Sequence, residues 1–202
     1  MESQLLLPAF YLPPVSYFHA IKETGVTLML DRFEHYAKQT YRTRAKIGTA
    51  NGILELFVPI EHGRKEHVAM KDVRISYEFD WQRLHWMSLQ TAYRSSSFFE
   101  FYEDDFVVFY NQKHSFLFDF NIQQLELILK CLKFNRTLNF TESYHEVAGD
   151  IDLRHAIHPK KQSIWTEHTP YYQVFEDKTG FIADLSIVDL LFNQGPQSKS
   201  YL

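Results

Sequence analysis

Residues 35–44 read His-Tyr-Ala-Lys-Gln-Thr-Tyr-Arg-Thr-Arg, a short stretch that gathers cations, phenols and an amide. Arg42 and Arg44 can grip a phosphate or carboxylate with two parallel hydrogen bonds, and Lys38 adds a point charge. Tyr36, Gln39 and Tyr41 add hydrogen-bonding groups. Such a set suits the capture of an anion, although a solvated loop with scattered charges uses some of the same residue types. A nucleic-acid groove would spread basic residues over a wider face. This chain has 21 Lys and Arg against 25 Asp and Glu, a net charge of −4, which favours a local basic pocket over a polyanion surface.

His85 is the second residue suited to chemistry. Helical spacing puts it on one face with Trp81, Leu84, Ser88 and Ala92, where an imidazole beside small side chains could act as a general acid or base. That role needs a hydrogen-bonding partner, for which Asp31, Tyr36 and Tyr93 are the candidates. A satisfied core histidine is the alternative. His155 and His158, with Asp150 and Asp152 upstream, have the spacing of two metal ligands but no third ligand on a defined scaffold. They are read as a polar surface loop, and no metal is assigned. Cys131, the single cysteine, excludes an intrachain disulfide and reads as a structural thiol. The seven glycines never approach a dinucleotide fingerprint or a phosphate loop, and no serine sits in GxSxG. No cofactor is inferred.

The elements that would position these residues begin with a strand over 5–12, ended by Pro13-Pro14. A short helix over 15–24 and a strand over 26–31 complete a β-α-β opening. Asn51-Gly52 supplies the positive φ values of a tight hairpin between strands 46–49 and 54–60. A polar loop over 61–69 leads to a last short strand over 72–76. From Asp80, a fitting N-cap, the period becomes helical. A second helix follows over 98–110, and Ile122, Leu125, Leu129 and Leu132 mark a third. The tail predicts a strand from 171, a turn over 177–180 and a closing helix over 187–193 ended by Gly195-Pro196.

With 202 residues and 45% hydrophobic content, the chain is expected to form one domain. Its 18 Phe, 12 Tyr and 3 Trp imply an aromatic-rich core, with ring stacking on a ligand as the lesser use. The N-terminal Met-Glu-Ser-Gln-Leu-Leu-Leu-Pro has neither the flanks of a signal peptide nor the length of a membrane span, so cytoplasmic residence is expected.

Several stretches also carry a family resemblance. They are Leu7-Pro8-Ala9-Phe10-Tyr11-Leu12-Pro13-Pro14-Val15-Ser16-Tyr17-Phe18, the 36–44 run, Asn51-Gly52 with Val58-Pro59-Ile60, and Trp81 through His85-Trp86 to Ala92-Tyr93-Arg94. Gln173-Val174-Phe175, Gly180-Phe181 and Leu185-Ser186-Ile187-Val188-Asp189-Leu190-Leu191-Phe192 complete the set. Together they resemble the WbqC-like family, bacterial proteins associated with cell-surface polysaccharide and O-antigen gene clusters, in the version seen among Bacteroidetes. The resemblance implies modification of an activated amino sugar, such as attachment of an acyl or aminoacyl group to its amine. Pro8 and Ser16 depart from the glutamine and glycine of the more widespread opening, and Thr43 and Ala45 stand where Asn and Cys are usual in closer relatives.

The reading that results is an α/β single domain, a mixed sheet over 5–76 packed against helices over 80–134, with a strand-turn-helix over 171–193 folding back. The expected function is a cytoplasmic transferase acting on a sugar nucleotide or other phosphorylated amino sugar. Lys38, Arg42 and Arg44 would hold the anion, Tyr36, Gln39, Tyr41 and Tyr93 would orient the substrate, and His85 with Asp31 would handle the amine proton. A non-enzymatic binding or scaffold protein of the same pathway is the alternative. Neither nucleic acid nor an integral membrane segment is expected.

Overall fold

In the computed structural model, which describes residues 3–22, 25–61, 67–144, 151–161 and 163–202, the chain opens with β1 (Ser3–Leu7), α1 (Val15–Lys22) and β2 (Val26–Leu30). A hairpin of β3 (Arg44–Thr49) and β4 (Gly52–Phe57) follows, then α2 (Trp81–Tyr93), α3 (Phe99–Asn111) and α4 (Leu117–Cys131). The short strands β5 (Asn139–Phe140) and β6 (Ile151–Asp152) precede α5 (Glu176–Thr179) and α6 (Ile187–Gln194). The α/β class read from the sequence is the one found. No helix among the described residues is long and apolar enough to cross a membrane.

The β-α-β opening forms as its local pattern dictates: β1 and β2 pair in parallel, with Leu5 opposite Leu28 and Leu7 opposite Leu30. Pro8 ends β1 well before residue 12, because it has no N–H to give a ladder. The sheet then gains its remaining strands from far along the chain. β5 lies outside β2 and β6 lies against β1, giving the order β5-β2-β1-β6 with every pairing parallel. The antiparallel hairpin is a separate sheet, so the expected single mixed sheet over 5–76 resolves into two. The physical reason is that parallel strands require long crossovers, and two-residue strands such as β5 and β6 are too short to show any period.

Two expected strands are absent. Residues 72–76 contribute isolated bridges, Ile60 to Ile75 and Arg74 to Phe116, after a 3₁₀ turn at Met70–Asp72. At 171–175 the Gln173 side chain takes the place of a strand partner. Its Nε2 donates to the Ile182 carbonyl while its Oε1 accepts from the Ile182 N–H, both at 2.9 Å.

The core is strongly aromatic. Phe192 of α6 meets Tyr93, Phe99 and Phe106 edge to face at 5.2–5.3 Å, the geometry that ring quadrupoles prefer. On α2 the buried face is Trp81, Gln82, His85, Leu89, Ala92 and Tyr93, whereas Leu84, expected on that face, is 47% exposed. Asp80 occupies the N-cap position without a capping bond, because its Oδ2 accepts from Arg83 Nε at 2.9 Å instead. The closing helix is tied in on both sides: Ile187 N donates to Pro13 O, and Ser186 N to Lys46 O, each at 2.8 Å.

Candidate functional site at the carboxyl ends of the parallel strands

All four parallel strands end on the same side, and polar residues follow three of them within two positions. Asp31 succeeds β2, Thr141 succeeds β5, and Arg154 lies two residues past β6. Open parallel sheets bind ligands at this edge, where strand order reverses; here β1 is flanked by β2 on one side and β6 on the other.

Asp31 is 1% exposed and collects four donors. Phe33 N, Glu34 N and Thr141 Oγ1 reach its Oδ1 at 2.9, 3.0 and 2.8 Å, and Arg154 Nη1 reaches its Oδ2 at 2.8 Å. Arg154 also grips Asp152, with Nε at 3.0 Å and Nη2 at 2.6 Å. Burial alone would raise the Asp152 carboxyl, but its bonds to Arg154 hold it below the ordinary value.

Arg42 completes this buried network and turns inward. Its Nε donates to Glu34 Oε1 at 2.7 Å and its Nη2 to Glu34 Oε2, while Nη2 also reaches Arg154 O at 3.2 Å. At 1% exposure, its planar fork is closed around a carboxylate of its own chain. Burial raises the Glu34 carboxyl above its ordinary value, a tendency the neighbouring Arg42 opposes.

The outward-facing cations come from two segments that the fold brings together. Lys46 Nζ donates to Pro159 O at 2.9 Å, Lys160 Nζ to Gln39 Oε1, and Lys161 Nζ to His155 O at 3.3 Å. The loop over 154–161 is thereby tied to the 35–44 run through Gln39 and to β3 through Lys46. Gln39 holds a left-handed φ of 58°, a strained conformation for a residue other than glycine. His155 and His158 stand in the resulting positive field. Burial and then Arg42 and Arg154 lower the His155 pKa, while burial and then Lys161 and Lys160 lower that of His158. Lys38 is exposed. The rim is aromatic: Arg154 Cζ sits 5.9 Å over Tyr144, whose ring stacks on His35 at 4.8 Å.

The remaining residues read from the sequence lie as follows. Arg44 pairs with Glu55 at 3.0 Å across the hairpin and covers Phe57 at 5.7 Å. Tyr36 is half-buried, 3.5 Å from Thr43 Oγ1. Tyr41 is buried against Phe10, and burial followed by the charges of Asp184 and Glu55 raises its pKa.

His85, Tyr93 and Asp31 belong to three separate networks. Phe57 N donates to His85 Nε2 at 3.2 Å, so the imidazole proton resides on Nδ1, 2.9 Å from Tyr11 Oη; that hydroxyl is in turn 3.0 Å from Tyr110 Oη. Burial lowers the His85 pKa to about 4. Tyr93 donates to Asp189 Oδ2 at 2.8 Å, and Tyr171 and Gln173 bond the other oxygen at 2.9 and 3.1 Å. That carboxylate has no cationic partner among the described residues, and burial raises its pKa to about 6.

Residues 155–158 form a loop with His155 exposed, as read, and what the sequence reading did not foresee is its contact with the 35–44 run through Lys160 and Gln39. The run Arg154-His155-Ala156-Ile157-His158-Pro159-Lys160-Lys161 is as rich in cations as 35–44, and that density was the available signal. Asp150 lies outside the described residues, among which no group of His, Cys, Asp or Glu could hold a metal ion. Cys131 is half-buried and burial raises its thiol to about 11, in keeping with a structural role.

The open parallel sheet, with a cluster of charged residues at its strand ends, defines the molecule as an α/β protein. The chain belongs to the WbqC-like protein family, whose model matches residues 9–162 and therefore includes the charged cluster at the strand ends. It is also similar to the uncharacterized protein Rv1507c of Mycobacterium tuberculosis (strain ATCC 25618 / H37Rv), 23% identical over 228 aligned positions that cover 100% of this chain and 98% of that protein. No solved structure matches the chain.

Proposed function

We propose that the crevice binds the phosphoryl part of a sugar nucleotide or another phosphorylated amino sugar, and that the protein is a cytoplasmic transferase of bacterial surface-polysaccharide biosynthesis. The observation that carries this reading is the convergence of Lys46, Lys160 and Lys161 with His155 and His158 on the strand ends. Arg42 and Arg154 add charge from beneath while their forks keep Glu34, Asp31 and Asp152 in place. Counting Lys38, six cations face three carboxylates, so the local field attracts an anion. In the transfer, the sugar amine attacks the acyl carbon of an activated acyl or aminoacyl ester or thioester. An amide bond forms, the donor's alcohol or thiol leaves, and the amine proton passes to an imidazole or carboxylate of the crevice.

The alternative is a non-enzymatic binding or scaffold protein of the same pathway. The engagement of both His85 nitrogens favours it, since that residue has no free site for proton transfer. Calorimetry with a uridine-diphosphate amino sugar tests the shared part of both readings. Binding is expected at low salt and should weaken as salt screens the cations. Lys160→Gln with Lys161→Gln should cost about 1.5–3 kcal/mol per lost charge-assisted bond. No binding at low salt would remove the anion-site reading. Mass spectrometry with a thioester donor then separates the two: an amide product supports transfer, and tight binding without product supports the binding protein.

A further inference from the structure

A second polar cluster lies on the other side of Lys46, whose carbonyl accepts from Ser186 N at 2.8 Å. Ser16, in the first turn of α1, holds Asp184 by two bonds: its N–H reaches Oδ1 at 2.8 Å and its hydroxyl reaches Oδ2 at 3.0 Å. His19, one turn further along α1 and so on the same face, is 8% exposed, and its Nε2 is buried without a partner. The His19 ring lies nearly parallel to that of Trp165, at 6.2 Å and 22°, and meets the edge of His168 at 6.0 Å. The charges of His168 and Lys46 both act on Asp184, and Lys46 acts in turn on His158. The cluster and the phosphoryl crevice are therefore neighbours that share Lys46.

The chemistry of the cluster is specific. Asp184 makes no ion pair with any described residue, and its two Ser16 bonds leave carboxylate lone pairs open. It also holds a left-handed φ of 55°, the kind of backbone strain that persists where the surroundings demand it. A half-buried carboxylate with no cation in direct contact can accept an ammonium group. Flat rings beside it suit the apolar face of a sugar, and an orphaned imidazole nitrogen can bond a sugar hydroxyl.

We propose that Asp184, with His19, Trp165 and His168, forms the subsite for the ring of an amino sugar, the ammonium on Asp184 and the ring face on Trp165, while the phosphoryl group lies past Lys46. This rests on the phosphoryl reading of the crevice and names the part of the substrate that reading leaves open. The subsite selects amino sugars over their hydroxyl counterparts.

The test compares glucosamine 1-phosphate, glucose 1-phosphate and inorganic pyrophosphate by calorimetry on the full chain at neutral pH. Glucosamine 1-phosphate is expected to bind about tenfold more tightly than glucose 1-phosphate, equivalent to about 1.4 kcal/mol. Asp184→Asn, which tolerates the left-handed backbone and retains a bond to Ser16, should abolish that preference without changing pyrophosphate binding. Trp165→Leu should weaken both sugar phosphates and spare pyrophosphate. Equal binding of the two sugar phosphates, or a preference that survives Asp184→Asn, overturns the subsite alone while pyrophosphate binding preserves the crevice. Failure of all three probes to bind overturns both. Should Asp184→Asn fail to fold, quenching of the parent's tryptophan fluorescence by glucosamine 1-phosphate and not by pyrophosphate, lost in Trp165→Leu, supports the subsite; equal quenching by both, or quenching that persists in Trp165→Leu, overturns it.

Discussion

Arg42 and Lys160 show how differently two cations of one cluster can be used. Arg42 is closed on Glu34 inside the molecule, and removing one member of a buried pair leaves the other charge without compensation. Arg42→Met is therefore expected to cost about 3–5 kcal/mol of stability in a denaturant titration, with much of the loss recovered when Glu34→Leu is added. Lys160→Gln touches only the surface, so its stability should stay within about 0.5 kcal/mol of the parent while phosphoryl binding falls. If the two variants behaved alike, the division into supporting and ligand-facing cations would be wrong. His85 carries a second expectation at this scale. Its folded pKa of about 4 lies below the ordinary 6.5, so folding favours the neutral ring. The resulting stability is fully present above pH 6.5 and is lost as pH falls through about 4, a contribution on the order of 3 kcal/mol. Asp189 acts in the opposite sense: its pKa is raised from 3.8 to about 6, so its contribution is fully present below 3.8 and is lost as pH rises through about 6. Imidazole resonances followed by NMR should show His85 still neutral at pH 5; a midpoint near 6.5 would contradict its burial between Tyr11 and the Phe57 amide.

Among the elements, α6 is the one on which the helical half closes. Ile187, Val188, Leu190, Leu191 and Phe192 are each fully buried, and Asp189 between them gathers Tyr93, Tyr171 and Gln173. A chain ended at Pro170 should consequently lose near-ultraviolet dichroism and cooperative unfolding; an unchanged midpoint would mean that the tail is an appendage. The exit from α6 is equally constrained. Gly195 has a φ of 53°, and a Cβ placed there would lie 2.5 Å from the Phe98 ring. Gly195→Ala combines left-handed strain with overpacking and is expected to destabilise by roughly 3 kcal/mol, measured by chemical unfolding. By contrast Gly52, with a φ of 95° and no neighbour within 4 Å of an added Cβ, answers only to its hairpin turn. That turn was legible because its chemistry is confined to two adjacent residues. The strand expected from 171 was not, because a side-chain amide 9 positions from its partner replaced the ladder.

For the molecule as a whole, a net charge of −4 coexists with a local cluster of cations. The anion should therefore be drawn to one face, and its association rate should fall with ionic strength more steeply than its dissociation rate rises. Stopped-flow measurements over a salt series check this, and a salt-independent association rate would place binding elsewhere. The residues themselves determined the β-α-β opening, the Asn51-Gly52 hairpin, the helical middle and the cation-rich run at 35–44, because hydrophobic period, turn chemistry and local charge act between near neighbours. Only the tertiary structure decided that Arg42 faces Glu34 and the Arg154 carbonyl, 112 positions away, rather than a ligand. It likewise decided that His85 is held by Tyr11, 74 positions away, and that Lys46 meets the loop over 154–161. A side chain's partner and burial depend on which distant segments pack against it, and in a parallel sheet completed by two-residue strands those segments carry almost no local pattern of their own.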